Sequence, residues 1–396
     1  MVDLLIEGST QPTPGVSHLA KVGPSWAREI GTDSVSLARS ATSQQIHVSN
    51  VEELYDHVND PGNAGATIVL EEALYVLSPA DPNGNPRPNG GRLELQEDMT
   101  LTGHAFHPEW AVIDASQLPA SSYVMRAAVR TGRGFNKIEW LTIQNAVNGP
   151  AGIDTGLVSA IPATPAEVRL AHLILTGHQR GIDVRNFADA SGRILTVDLA
   201  DNDVAHNAIG FGTGVRIVNN AANGARIEAR LHHNDLHGNL AGLLVANLNC
   251  SNATIEIDSE ADHFYENNIG VLLLGGNSGP PAPADGNLLS FDTTGSTISD
   301  NGQELYTPAN ARGGLVAIGG LAAQTNGASY NLLRAGVRST EMARNQQMDI
   351  SAWGARTEGG AVTHNQVEIT LGGVSRKAKV APLPVEIPTN TVTIIR

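Results

Sequence analysis

Apolar residues in this chain come in short alternating runs, and the runs themselves recur. Strands opening on glycine appear at Gly152-Ile153-Asp154-Thr155, Gly181-Ile182-Asp183-Val184, Gly214-Val215-Arg216-Ile217, Gly242-Leu243-Leu244-Val245 and Gly270-Val271-Leu272-Leu273, at steps of 28 to 33 residues. A second set keeps the same step: Val168-Arg169-Leu170, Val197-Asp198-Leu199, Ala229-Arg230-Leu231 and Ile257-Asp258-Ser259 each begin 13 to 17 residues before one of those glycines. Alternation of period two within each run marks a strand with one buried face. Nothing between the runs is long enough for a crossover helix, so each repeat reads as one coil of a solenoid. The predicted fold is all-β, a single-stranded right-handed parallel β-helix of about 9 to 11 coils stacked about 4.8 Å apart.

Ahead of the regular coils, Asn50-Val51-Glu52-Glu53 reads as a capping box opening a short helix, with Val51, Leu54, Tyr55 and Val58 on one face. Such a helix would cover the first coil and block end-to-end pairing. Asn207, Asn239 and Asn267 recur at one corner, where Asn tolerates left-handed backbone and can hydrogen-bond to its copy one coil away. The organisation expected is an N-terminal arm over 1–45, the β-helix over 46–375 and a C-terminal tail over 376–396.

Composition narrows the function. With 40 acidic against 25 basic residues the net charge is −15, which argues against a nucleic-acid partner. The single cysteine, Cys250, excludes an intrachain disulfide and a cysteine-based zinc site. No apolar run is long enough to span a membrane, and residues 1 to 30 lack the charged start and apolar run of a leader. A membrane partner is therefore not expected, and the compartment reads as cytoplasmic or that of a processed secreted form.

The segment from Ala64-Gly65-Ala66-Thr67-Ile68-Val69-Leu70 through Glu71-Glu72-Ala73-Leu74-Tyr75 resembles the first coil of the pectate-lyase-like right-handed β-helix superfamily. The likeness extends over residues 46 to 375. It implies a protein that acts on carbohydrate, since the superfamily includes polysaccharide lyases, glycoside hydrolases, fructan-cleaving transferases, uronate epimerases and phage tailspikes. The Asp-Pro-His-Asp of mannuronan epimerases and the arginine-rich strand motif of pectate lyases are absent from the sequence, and Gly177-His178-Gln179 only partly matches the Gly-His-Gly of polygalacturonases.

Several columns of polar residues follow from stacking the repeats. Glu139, Arg169, Asp198, Arg230 and Asp258 form one of alternating sign, which reads as a register-setting ladder on a solvated face. On the glycine-led strand, Asp154, Asp183 and Arg216 face outward in a second column, with Arg185 two residues beyond Asp183. Stacked carboxylates need a cation or a shared proton, the situation that acid/base chemistry exploits. Asp154, Asp183 and His178 are thus the candidate catalytic residues, and Arg185 and Arg216 the candidate substrate-binding ones. A glycosidase would use the aspartates as acid and nucleophile or base. A lyase would use them, with Ca²⁺ as an optional aid, and the arginines to neutralise a uronate while an arginine or His178 takes the proton. No cofactor is otherwise expected. A non-catalytic glycan-binding or assembly module is the alternative. A third cluster, with Asp201 and His233 in one column and Asp203, Asp235 and His263 in another, reads as turn chemistry, and no metal ligand is assigned there. Outward Leu244, Leu272 and Leu274 form an apolar strip that suits a covering loop, the tail or a homo-oligomer.

Overall fold

The computed structural model describes residues 44–119, 123–126, 134–146, 151–154, 166–207, 212–279, 282–302, 313–322, 327–346, 348–357, 361–374, 379–382 and 389–396. Among these the chain is a parallel β-solenoid whose strands form three sheets of twelve, ten and nine strands. Every neighbouring strand pair is parallel and comes from the adjacent coil. No helix among the described residues is long and apolar enough to cross a membrane.

The repeat read from the sequence is the structural repeat. Ile153, Ile182, Val215, Leu243, Val271 and Leu315 stand in register in the ten-stranded sheet, and each is fully or almost fully buried. They form one continuous core with Val168, Val197 and Ile255 of the twelve-stranded sheet and Leu175, Val204 and Leu236 of the nine-stranded one. The glycine that opens each strand has a steric cause. A Cβ on Gly181, Gly214 or Gly242 would lie 2.7 to 2.8 Å from the carbonyl oxygen of the glycine on the next coil.

Asparagines run between the coils at four places. Asn207, Asn239, Asn267, Asn301 and Asn345 are buried, and each of the first four donates from Nδ2 to the Oδ1 of the next at 2.9 to 3.3 Å. Asn202 and Asn234 lead in the same way to Asp262, Asn186 and Asn219 to Asn247, and Asn287, Asn331 and Asn365 to Asn390. The column expected at 207, 239 and 267 is thus structural, with one correction. The left-handed residue at that corner precedes the asparagine, as at His206, Gly238, Glu266, Asp300 and Arg344. The asparagine instead satisfies backbone groups of the corner, for example Leu236 O from Asn267 Nδ2 at 2.8 Å.

The N-terminal helix spans Val51–Val58. Asn50 caps it, its Oδ1 accepting from Glu52 N and Glu53 N, while the Glu53 carboxylate accepts from Ser49 N at 2.8 Å. Leu54, Tyr55 and Val58 are buried and Tyr55 Oη donates to Gly91 O at 2.7 Å, which seats the helix on the first coils. At the other end, Val380–Pro382 and Thr391–Ile395 pair with Met348–Thr357 and Gln366–Gly372. The stretch expected as a tail therefore supplies two strands of the solenoid, whereas nearly all of the expected arm lies outside the described residues.

Candidate functional site

The outer face of the ten-stranded sheet changes character along the solenoid. Its first coils align Glu94, Arg126, Asp154, Asp183 and Arg216 in a single column, and the next positions are Leu244, Leu272 and Val316. Charged residues give way to apolar ones on one surface.

Asp183 is the centre of the charged part. Strand Arg180–Asn186 directs Ile182 and Val184 into the core and Asp183 outward, yet Asp183 has no exposed surface. Arginines cover it. Arg216 on the next coil is bidentate, Nε donating to Oδ1 at 2.8 Å and Nη2 to Oδ2 at 2.7 Å. Arg185 Nε lies 3.1 Å from Oδ2 and Arg180 Nη1 3.5 Å from it. Three guanidiniums thus surround one carboxylate. Arg185 also rests over the Phe187 ring at 4.4 Å, which fixes its plane. A column of Asp154, Asp183 and Arg216 is what the sequence implies, but an exposed acid at 183 is not what the structure holds. Asp183 accepts two hydrogen bonds from Arg216 and is closed off from solvent by the arginines around it. Asp154 lies between Arg126 and Asp183 in backbone register.

Arg180, Arg126, Tyr123 and Glu94 complete the charged surface and were not among the expected site residues. Tyr123 Oη donates to Glu94 Oε1 at 2.5 Å, its ring stacks under Arg126 at 3.7 Å, and burial pushes its hydroxyl up to about 12. Arg126 Nη1 stands 3.8 Å from Glu94 Oε1. The strand Tyr123–Arg126 carries no opening glycine, so the repeat that reveals Asp183 does not reveal Arg126.

His178 is not part of this surface. It sits in the asparagine column one coil before Asn207, fully buried, its N–H donating to Asn207 Oδ1 at 2.9 Å and its Nε2 to Ile143 O at 3.0 Å. The imidazole does what an asparagine does elsewhere in the column. Burial pulls its pKa down to about 4. This ring points into the solenoid, whereas Asp183 points away from it.

The twelve-stranded sheet carries the register ladder, shifted by one position pair at its start. Lys137, not Glu139, pairs with Arg169, and the column continues through Asp198, Arg230, Asp258 and Asp292. Glu139 stands opposite Ala171 and binds Lys137 Nζ at 2.7 Å. Arg226 holds the like charges of Glu228 and Glu256 together, at 2.8 and 2.7 Å. The expected column Asp203, Asp235 and His263 is present in the nine-stranded sheet, where His237 pairs with Asp203 at 3.0 Å and His263 with Asp235 at 2.8 Å. In the apolar strip, Leu274, Val316, Ile318 and Trp353 are buried within the single chain, and Leu244 and Leu272 pack against them half-buried.

The fold is that of a parallel β-helix protein. No family model and no curated protein matches the sequence. Among solved structures the protein is similar to the A-module of Azotobacter vinelandii mannuronan C-5 epimerase AlgE4, at 14% identity and a TM-score of 0.43, over 87% of this chain and 100% of that one. It is similar as well to the A-module of mannuronan C-5 epimerase AlgE6 from the same organism, at 16% identity and a TM-score of 0.41, over 88% of this chain and 99% of that one. A third similar structure is pectate lyase Pel9A, at 11% identity and a TM-score of 0.33, over 89% of this chain and 80% of that one.

Proposed function

We propose that this protein binds an acidic, uronate-type glycan on the charged outer face of the ten-stranded sheet and cleaves or rearranges its glycosidic bonds. The observation that carries this reading is the clustering of Arg180, Arg185 and Arg216 around Asp183 on one outer face. Arg180, Arg185 and Arg216 are mostly covered, their side chains 13 to 23% exposed, so their charge acts in a setting less screened than open water. A glycan carboxylate matches the planar donor fork of a guanidinium. In this reading Arg216, Arg185 and Arg180 receive the uronate, Asp183 positions them, and Asp154, one coil earlier in the same column, is the group that moves a proton. His178 has a structural role only.

A non-catalytic glycan-binding module is the second reading, favoured by the commitment of both Asp183 oxygens to arginine. The two separate in one experiment. Polyuronates and neutral glucans and fructans are offered to the protein, binding is followed calorimetrically, and products by unsaturated-uronate absorbance, new reducing ends and mass spectrometry. Polyuronate binding that Arg216→Ala weakens at least tenfold is expected, as for loss of a charged hydrogen-bonded partner. Turnover abolished by Asp154→Asn supports the enzyme, and binding without products supports the module. Equal affinity for neutral and acidic glycans would sink the reading.

A further inference from the structure

From the strand Phe135–Glu139 to the strand Gln366–Gly372, each strand of the twelve-stranded sheet is followed by one left-handed residue. Trp140, His172, Asp201, His233 and Ala261 hold this place on successive coils, with φ between 53 and 58°. Asp201 therefore stands between two histidines. His172 Nδ1 lies 3.8 Å from its Oδ2, and His233 Nδ1 lies 3.9 Å from its Oδ1. These separations are too long for hydrogen bonds. The histidine–aspartate pairs of the nine-stranded sheet behave differently, closing to 3.0 and 2.8 Å. A gap near 3.8 Å is what two coordinate bonds of about 2.0 to 2.2 Å span at a wide angle.

His232 adds a third donor. One ligand atom from each of Asp201, His232 and His233 lies within 4.8 Å of the others. His232 Nε2 is hydrogen-bonded to Asp198 Oδ1 at 3.1 Å, which fixes the ring and leaves its second nitrogen over. A carboxylate behind an imidazole in this way orients it as a metal ligand. Two imidazoles with one carboxylate select an ion of the zinc class over Ca²⁺ or Mg²⁺, which take oxygen.

We propose that Asp201, His232 and His233 form a binding site for a divalent transition metal of the zinc class, with water or His172 at the fourth position. Asp201 belongs to one coil and the two histidines to the next, so the ion ties adjacent coils together. The Asp201 and His233 side chains are 43 and 60% exposed, free to close the triangle toward the roughly 3.4 Å edge of a tetrahedral site without moving backbone. The site is separate from the arginine-bound Asp183 and stands whatever the glycan chemistry.

The test is calorimetric titration of the full chain, stripped with EDTA, with Zn²⁺, together with the visible spectrum after Co²⁺ loading. One Zn²⁺ per chain with micromolar affinity is expected, along with the ligand-field bands of protein-bound Co²⁺. His233→Ala and Asp201→Asn should each weaken binding at least tenfold. Asp198→Asn, which contacts His232 but not the ion, should weaken it about 10- to 100-fold. His263→Ala should leave it unchanged, and circular dichroism checks that each variant is folded. Absence of saturable uptake at millimolar Zn²⁺, featureless Co²⁺ spectra, or affinity unaltered in His233→Ala and Asp201→Asn would overturn the proposal.

Discussion

One buried imidazole should govern how the stability of this protein responds to acid. His178 has no exposed surface, and its Nδ1 has no hydrogen-bond partner. A second proton would create a buried cation with an unsatisfied N–H, which is why its pKa falls from 6.5 to about 4. The unfolded chain takes up that proton near 6.5 and the folded chain only near 4, so between these values the unfolded state holds more protons and stability falls as pH falls. The contribution is intact above the higher value and fully lost below the lower one. At about 1.36 kcal/mol per decade the loss is roughly 3 kcal/mol. With about 2 cal/mol/K of unfolding entropy per residue over 396 residues, it corresponds to roughly 4 °C in Tm. His178→Asn removes the titration while supplying the residue that the column holds at 207, 239, 267, 301 and 345. Tm and urea midpoint, measured from about pH 7 to about pH 4, should therefore fall further for the natural protein than for the variant by these amounts. Parallel pH profiles of the two proteins would refute the reasoning. Any glycan turnover should survive the substitution, because the ring faces the interior.

Two further substitutions probe the interior of the stack. Asn267→Ala strips the partner from Leu236 O and Asn239 N–H, bonded at 2.8 and 3.0 Å, and should cost about 3 kcal/mol in urea unfolding with an unchanged m-value; a cost under about 1 kcal/mol would mean that water replaces the amide. Gly242→Ala places a Cβ 2.8 Å from Gly270 O and 2.9 Å from Asn267 Nδ2, which should cost about 1 to 3 kcal/mol. A double-mutant cycle joining it to Asn267→Ala should be less than additive, since the alanine at 267 removes one of the two obstructions.

The glycines at 152, 181, 214, 242 and 270 and the asparagines at 207, 239 and 267 made the stacking legible, because each reports a close approach between coils. Register was legible only modulo two. Placing Glu139 beside Arg169 keeps every side chain on the correct face, and alternation alone cannot distinguish that from the observed pairing of Lys137. Of the two inward residues of that strand, Asn136 and Ile138, the first is polar, its Nδ2 donating to Gln96 O and Met99 O, so only one apolar cue was present where two were needed. Asp183 was assigned to the outer face correctly, but its burial depends on Arg180, Arg185 and Arg216 folding over it, which no pattern of apolar positions encodes. His178 lies 29 residues before Asn207 and so was visible as a column member; its chemistry, rather than its spacing, suggested a catalytic role.

All the asparagine columns run the same way. In each, the amide of an earlier coil donates and the side-chain oxygen of the later coil accepts, from Asn186 to Asn219, from Asn207 to Asn239 and from Asn287 to Asn331 alike. The two ends of an all-asparagine column are therefore chemically unlike, the first residue presenting a side-chain oxygen and the last an amide. Length variation in such a molecule has a natural quantum: a whole turn can be gained or lost if it brings amide residues to the same corners, whereas a fractional insertion would set oxygen against oxygen and interrupt the wire.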